Sequence, residues 1–223
     1  MSGEQADVLT AGAHGQRHLE ELEQANAFIT WVGPHRQWYR YHPLLRETLL
    51  HQLRLEDPQL SDELHRRAAI WFAEHAAPVQ AMRHAAHARD WVLMGELFVT
   101  TAGPRIMSAD RQAINESLAL IPDGELTRTA ALQTCATARL EYASRFAEIA
   151  PVVARAQRAL EAERSGPIPA AHQAATNALI GLWVTAIARP TGDMTMLWGP
   201  AGTCCTGWRK PMSPSRRPTS TAL

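Results

Sequence analysis

A mainly α-helical protein with one small β-hairpin near its N-terminus is predicted by three observations. Apolar residues recur at helical spacing through most of the stretch from His18 to Ala188. Only residues 28–41 switch to the β-branched, aromatic and alternating pattern of strands. Prolines, glycines and capping residues then cut the helical part into successive short rods. The composition bounds the function. With 223 residues the chain can bury an independent core. Its 22 Lys+Arg balance its 22 Asp+Glu, which argues against a general phosphate-tracking surface. Its apolar runs fall short of the roughly 20 residues needed to cross a bilayer, so no membrane role is expected. Three cysteines, two of them adjacent, make no disulfide framework and fit a reducing, cytoplasmic compartment. The single lysine, Lys210, reads as coding bias.

The elements follow in order. Leu19, Leu22 and Ala25 place one face of a helix over residues 18–27. Phe28–Val32 and Trp38–Tyr41 read as two strands around the turn-forming Gly33-Pro34-His35-Arg36-Gln37. Pro43 can open the next helix and keeps His42 out of the α region. Leu45, Leu49 and Leu53 give that helix an apolar stripe, which Asp57-Pro58 ends. A helix, a two-stranded wing and a second helix make the back part of a winged-helix domain, over residues 1–57.

Beyond it the pattern is helical only. Ser61 is the expected N-cap of a helix burying Leu64, Ala68, Trp71 and Phe72. Pro78 restarts the chain, with Val79, Met82 and Ala86 facing inward. Asp90 can cap a helix carrying Met94, Leu97 and Phe98, and Gly103-Pro104 breaks it. Ser108 is the expected cap of the next, with Ile114, Leu118 and Ile121 inward. Leu132, Ala136 and Leu140 mark another, then Phe146, Val153, Ala156 and Leu160. After Ser165-Gly166-Pro167, residues 170–188 carry Leu179, Leu182 and Trp183. Rods joined by short turns, rich in alanine at their contacts, predict stacked antiparallel pairs over residues 58–190. Residues 61–89 and 126–163 read as degenerate copies of one unit.

The end of the chain, residues 191–223, has neither period, and Pro200, Pro211, Pro214 and Pro218 forbid long elements. It is expected to be disordered, with the composition of a frameshift-derived segment.

Three stretches carry a resemblance: Leu19–Phe28, Arg36–Leu45 with its Trp-Tyr-Arg-Tyr-His-Pro-Leu run, and Leu64–Trp71 with Leu-His-Arg-Arg-Ala-Ala. Asp90-Trp91, Ile121-Pro122 and Ala156–Leu160 add to it. Over about residues 5–190 the sequence closely resembles the large ATP-dependent LuxR-type, MalT-like transcriptional regulators. The resemblance implies a fixed order: a P-loop ATPase module (a STAND ATPase), a winged helix, a superhelical sensor of tetratricopeptide-like (TPR-like) repeats, and a DNA-binding helix-turn-helix. Here it covers a partial winged helix and the first sensor repeats. ATP is the cofactor of the full-length family, and none is implied for this part. The sequence departs from the family at Ala76 and Arg89, where glycine is usual.

No catalytic, cofactor-binding or metal-ligating residue is assigned. Gly202–Gly207 imitates a P-loop, but Trp208 stands where lysine must be. His84 and His87 share a helix face without a visible third ligand, so they read as helix-surface histidines. His42 reads as a cap, Cys135 as a small core residue, and Cys204-Cys205 as part of the tail. Trp31, Trp38, Tyr39 and Tyr41, with Arg36 and Arg40, could stack bases. Residues 31–57 nevertheless carry four arginines against Glu47, Glu56 and Asp57, too little charge to hold DNA. Those aromatics are expected to pack the wing on its neighbours, with no direct DNA binding. Trp71, Trp91 and Trp183 are read as core. The resulting expectation is a non-catalytic piece of a signal-responsive regulator, an inter-domain relay and scaffold. Its partners would be other proteins, self-association through the repeats, and a small-molecule effector. The rival of another class is a stand-alone helical-repeat adaptor.

Overall fold

A computed structural model describes residues 1–33, 37–105, 108–163 and 170–191. The predicted tail, the Ser165-Gly166-Pro167 break, the Gly202–Gly207 segment and Cys204-Cys205 lie outside the described residues, as do Arg36 and the surroundings of the Trp183 side chain. Two helices precede the hairpin, α1 (Gly3–Thr10) and α2 (Gly15–Gln24). Helix α1 forms ahead of the first helix that the sequence pattern predicts, at residues 18–27. Ser2 caps it, its Oγ accepting from the Gln5 N–H at 3.2 Å. The two helices meet at Gly15, where a Cβ would stand 2.5 Å from the Gly3 carbonyl oxygen and 2.7 Å from the Ala6 Cβ. Of the stripe expected on α2, Leu19 is buried while Leu22 and Ala25 face solvent.

The hairpin forms where the alternation placed it. Strands β1 (Ile29–Val32) and β2 (Trp38–Tyr41) pair antiparallel with Trp31 opposite Tyr39. Ile29 and Tyr39 point inward and join Ala6 and Leu19 in a small core. Helix α3 (Pro43–Glu56) opens at Pro43, as expected. His42 occupies its N-cap position but makes no side-chain capping bond. The ring instead lies edge-on to Phe28, which corrects its expected capping role. Leu45 and Leu53 are half-buried, Leu49 is exposed, and no residue of α3 is fully buried.

Helix α4 (Pro58–Glu74) begins earlier than expected. Asp57 both ends α3 and caps α4, its Oδ1 accepting from the Leu60 N–H at 2.8 Å. Ser61 is thus a buried residue inside α4 and not a cap. Pro58 fits because the first helical position needs no N–H. Helices α1 and α3 both pack on α4.

The rest is a stack of helices: α5 (Pro78–His87), α6 (Trp91–Leu97), α7 (Arg111–Leu118), α8 (Ala130–Tyr142), α9 (Ile149–Glu163) and α10 (Ala170–Thr191). Helix α6 runs on into one π-helical turn, Phe98–Ala102, and a 3-10 turn, Gly103–Arg105. Helix α4 packs on α5, α5 on α6, α6 on α8, α8 on α9, and α10 on both α8 and α9. This neighbour-to-neighbour order is that of a helical-repeat array. One continuous core runs through it, with Met82, Met94, Phe98, Ile114, Leu118 and Leu132 fully buried. Cys135 sits inside this core, and burial pushes its thiol far up from the usual range. Asp90 caps α6 as expected, accepting from the Leu93 N–H at 3.0 Å. Ser108 does not cap α7: Asp110 takes that position, and the Ser108 hydroxyl closes a local turn onto the Arg105 carbonyl at 2.7 Å.

Candidate functional site

The most developed concavity lies where the hairpin and α3 meet α4 and α5. A cavity of about 680 Å³ opens there. Its walls are apolar: Leu49, Leu50 and Leu53 from α3, Val32 and Trp38 from the hairpin, and Leu64, Ala68 and Phe72 from α4. The polar side chains reaching it are Gln5, Arg40, Tyr41, Arg46, Ser61, His65 and His84, with no carboxylate among the described lining residues. A second hollow of about 270 Å³ adjoins it and shares Arg46, Leu50 and His65, adding Glu47, His51, Arg54 and His87.

Three histidines meet at this joint. The Nδ1 atoms of His65 and His84 are 3.0 Å apart, so one ring donates and the other accepts. His87 stacks on His65 with ring centroids 5.1 Å apart, and His84 stacks on Phe72 at 5.2 Å. Burial, reinforced by the neighbouring His87, lowers His65 to about 4, with the Arg54 and Arg46 guanidiniums acting in the same direction. His84 is held at about 4 chiefly by burial and then by His65. Both rings are therefore neutral at pH 7. His65 Nε2 is buried without a hydrogen-bond partner. The expectation of surface histidines holds for the exposed His87 and is corrected for His84, which is turned inward onto α4. Spacing along one helix could not reveal His65, which comes from the opposite rod, 19 positions earlier.

The surrounding contacts fix the hairpin side to the array side. The Arg67 guanidinium donates to the Leu9 carbonyl at 3.1 Å and pairs with Glu63 at 2.9 Å. Arg66 bridges Glu63 at 2.7 Å and Asp90 at 2.9 Å, linking α4 to the cap of α6. Trp38 lies edge-on to the buried Trp71 at 6.3 Å, and Trp71 in turn stacks on His75 at 3.8 Å. Tyr39 is buried, Tyr41 half-buried, and burial raises the Tyr41 phenol. Trp31 remains 43% exposed. Tyr39 and Tyr41 thus pack the wing on its neighbours as the sequence suggests, while Trp38, though against Trp71, stays 44% exposed like Trp31.

A different hollow of about 550 Å³ lies on the array, between α8 and α9. Its charges are largely matched internally, Arg139 with Asp123 at 3.0 Å and Arg145 with Glu148 at 2.6 Å. Among the described residues, no group of three or more His, Cys, Asp or Glu is placed to hold a metal ion. Nor is any described helix long and apolar enough to cross a membrane.

Comparison with known proteins places these features. Residues 1–61 match the family described as the MalT winged helix domain. Over 159 residues the chain is 27% identical to the HTH-type transcriptional regulator MalT of one Klebsiella pneumoniae strain and 26% identical to that of another. The aligned stretch is 70% of this chain but 17% of each relative, so the chain spans only a small part of their length. The family match falls on a winged helix and not on an ATPase module. No solved structure matches the chain.

Proposed function

Because this MalT-like chain runs from its winged helix into stacked helices through one shared rod, we propose that it is a relay in a signal-responsive transcriptional regulator. It carries no catalysis and no cofactor of its own. It passes strain between a winged helix and a helical-repeat sensor, and it offers the repeats to protein partners or to a second copy. The observation that carries this reading is α4. One face takes up α1, α3 and the hairpin's Trp38, while another builds the first helical pair with α5. A single residue, Asp57, separates α3 from α4 and caps α4, so a change in the angle of α3 is delivered to the start of α4. Direct DNA contact through the hairpin forms no part of this role, because its local charge is too small.

The relay is tested by hydrogen exchange on the full chain. Arg67→Gln removes the guanidinium that links α4 to the Leu9 carbonyl, and Trp71→Ala removes the ring under Trp38. Each should speed exchange both in the hairpin and in α5. Faster exchange on one side only, in both variants, would leave a stand-alone helical adaptor. The array's self-contained core favours that reading next.

A further inference from the structure

We propose that the cavity beneath α3 binds a small amphipathic carboxylate, its apolar tail between α3 and α4 and its charged end at Arg46. The volume, about 680 Å³, is that of small-ligand sites, which commonly span roughly 300–1,000 Å³. The chemistry of the lining selects the ligand. Leu49, Leu53 and Phe72 offer an apolar slot with no hydrogen-bonding side chain of their own, which disfavours a ligand that is polar along its whole length, such as a sugar or nucleotide. Arg40 and Arg46 supply two guanidiniums to the cavity and none of its described lining residues supplies a carboxylate, while in the adjoining hollow Glu47 is outnumbered by Arg46 and Arg54, so the net charge facing an anion is positive. Arg46 and His65 line both this cavity and the adjoining hollow, which puts the polar end of the site at their junction.

A second observation is independent of charge. His65 is only 9% exposed, and its Nε2 has no hydrogen-bond partner within the chain. A buried ring nitrogen left unpaired is costly, and a polar group of a ligand at the Arg46 end would satisfy it. Helix α3 fits the same picture, because it lies over the cavity with no fully buried residue of its own. An occupant would supply the contacts it lacks. Binding itself rests on this lining alone. Only its consequence, a ligand-dependent grip of α3 on α4, rests on the relay proposed above.

The test titrates the full chain with decanoate and with its uncharged counterpart decanol, following Trp fluorescence and amide chemical shifts. Decanoate should bind one to one and about tenfold more tightly than decanol, the order expected for one charge-assisted pair. Arg46→Gln should remove that preference, and Leu53→Trp should block both ligands by filling the slot. Ala68→Leu fills it from the opposite wall and serves if Leu53→Trp melts abnormally. Leu55→Ser, on an exposed position outside the lining, should change neither affinity. Equal binding of the two ligands, no saturable binding, micelle-like uptake of many molecules, or binding that survives both filled variants would overturn the site. One-to-one decanoate binding with unaltered exchange in α3 and α5 would keep the site and sink the relay.

Discussion

The helical array and the N-terminal winged-helix region solve the burial problem differently. The array closes its own core: Met94, Phe98, Ile114 and Leu132 are fully buried in one cluster that runs from α4 to α10. The N-terminal region buries four residues in its own cluster, Ala6, Leu19, Ile29 and Tyr39. Ten of the twelve large exposed hydrophobics among the described residues fall within residues 1–60, Leu44 and Leu55 among the most exposed. Stacked helices bury one another in sequence order, because each rod finds its partner a few residues away. A hairpin with three short helices cannot do this and leans on α4 instead.

The largest expected effect breaks this contrast if it fails. Leu132→Ala empties a site with no exposure in the middle of the array and should cost about 3 kcal/mol or more in urea unfolding. Leu49→Ala, on an exposed position of α3, should cost well under about 1 kcal/mol. Comparable losses would mean that α3 is held far more firmly than its exposure indicates.

Next in size is the response to acid, which probes the seam between the two regions. His65 and His84 stand at about 4 in the folded chain against an ordinary value of 6.5. Between those values the unfolded chain binds more protons, so stability is full above pH 6.5 and falls as pH drops toward 4. Below that both states are protonated and the loss levels off. For the nearly buried His65 the loss amounts to roughly 2–3 kcal/mol. Urea midpoints at pH 7.5, 6, 5 and 4 should decline in that window, and His65→Gln should flatten the decline. A flat profile in the unaltered chain would show that the two rings are solvated.

Much of this architecture was legible because local rules agree with the fold. The alternation of residues 28–41 fixed the hairpin, Pro43 opened α3, and Asp90 caps α6. Helix α1 escaped because it is short and carries no apolar stripe, with Gly3 inside it and Gly12 and Gly15 just beyond it, although Ser2 followed by Gln5 has the spacing of a capping box. The cap of α4 moved from Ser61 to Asp57 because proline at the first helical position favours an earlier start. The site was harder. His65 meets His84 only after two rods fold back on each other, and a cavity between α3 and α4 has no signature along the chain. Ala76 and Arg89 lay between these cases: their departure from glycine is visible in sequence, but its cost depends on the backbone.

That cost gives the smallest effect and sharpens the contrast between the regions. Helices α4, α5 and α8 each end with the same pair of bonds: Ala76 to the Ala73 carbonyl with Ala77 to Phe72, Arg89 to Ala86 with Asp90 to Ala85, and Ser144 to Glu141 with Arg145 to Leu140. Each places a residue with a Cβ in the left-handed region, at φ 54°, 52° and 57°. Glycine adopts that conformation without the clash, though it loses more freedom on folding, so the net gain is about 0.5–1 kcal/mol per site. Ala76→Gly and Arg89→Gly should therefore each raise Tm by about 1–4 °C and add when combined. In the N-terminal region α2 ends with the same pair of bonds at Asn26, at φ 52°, while α1 ends on Ala11, also at φ 52°. Asparagine tolerates this backbone, so Asn26→Gly should change Tm by less than either array variant. If Asn26→Gly gained as much as Ala76→Gly, asparagine would be no better suited than alanine to this cap. If Ala76→Gly lowered Tm instead, the flexibility added to the unfolded chain would outweigh the relief at the cap.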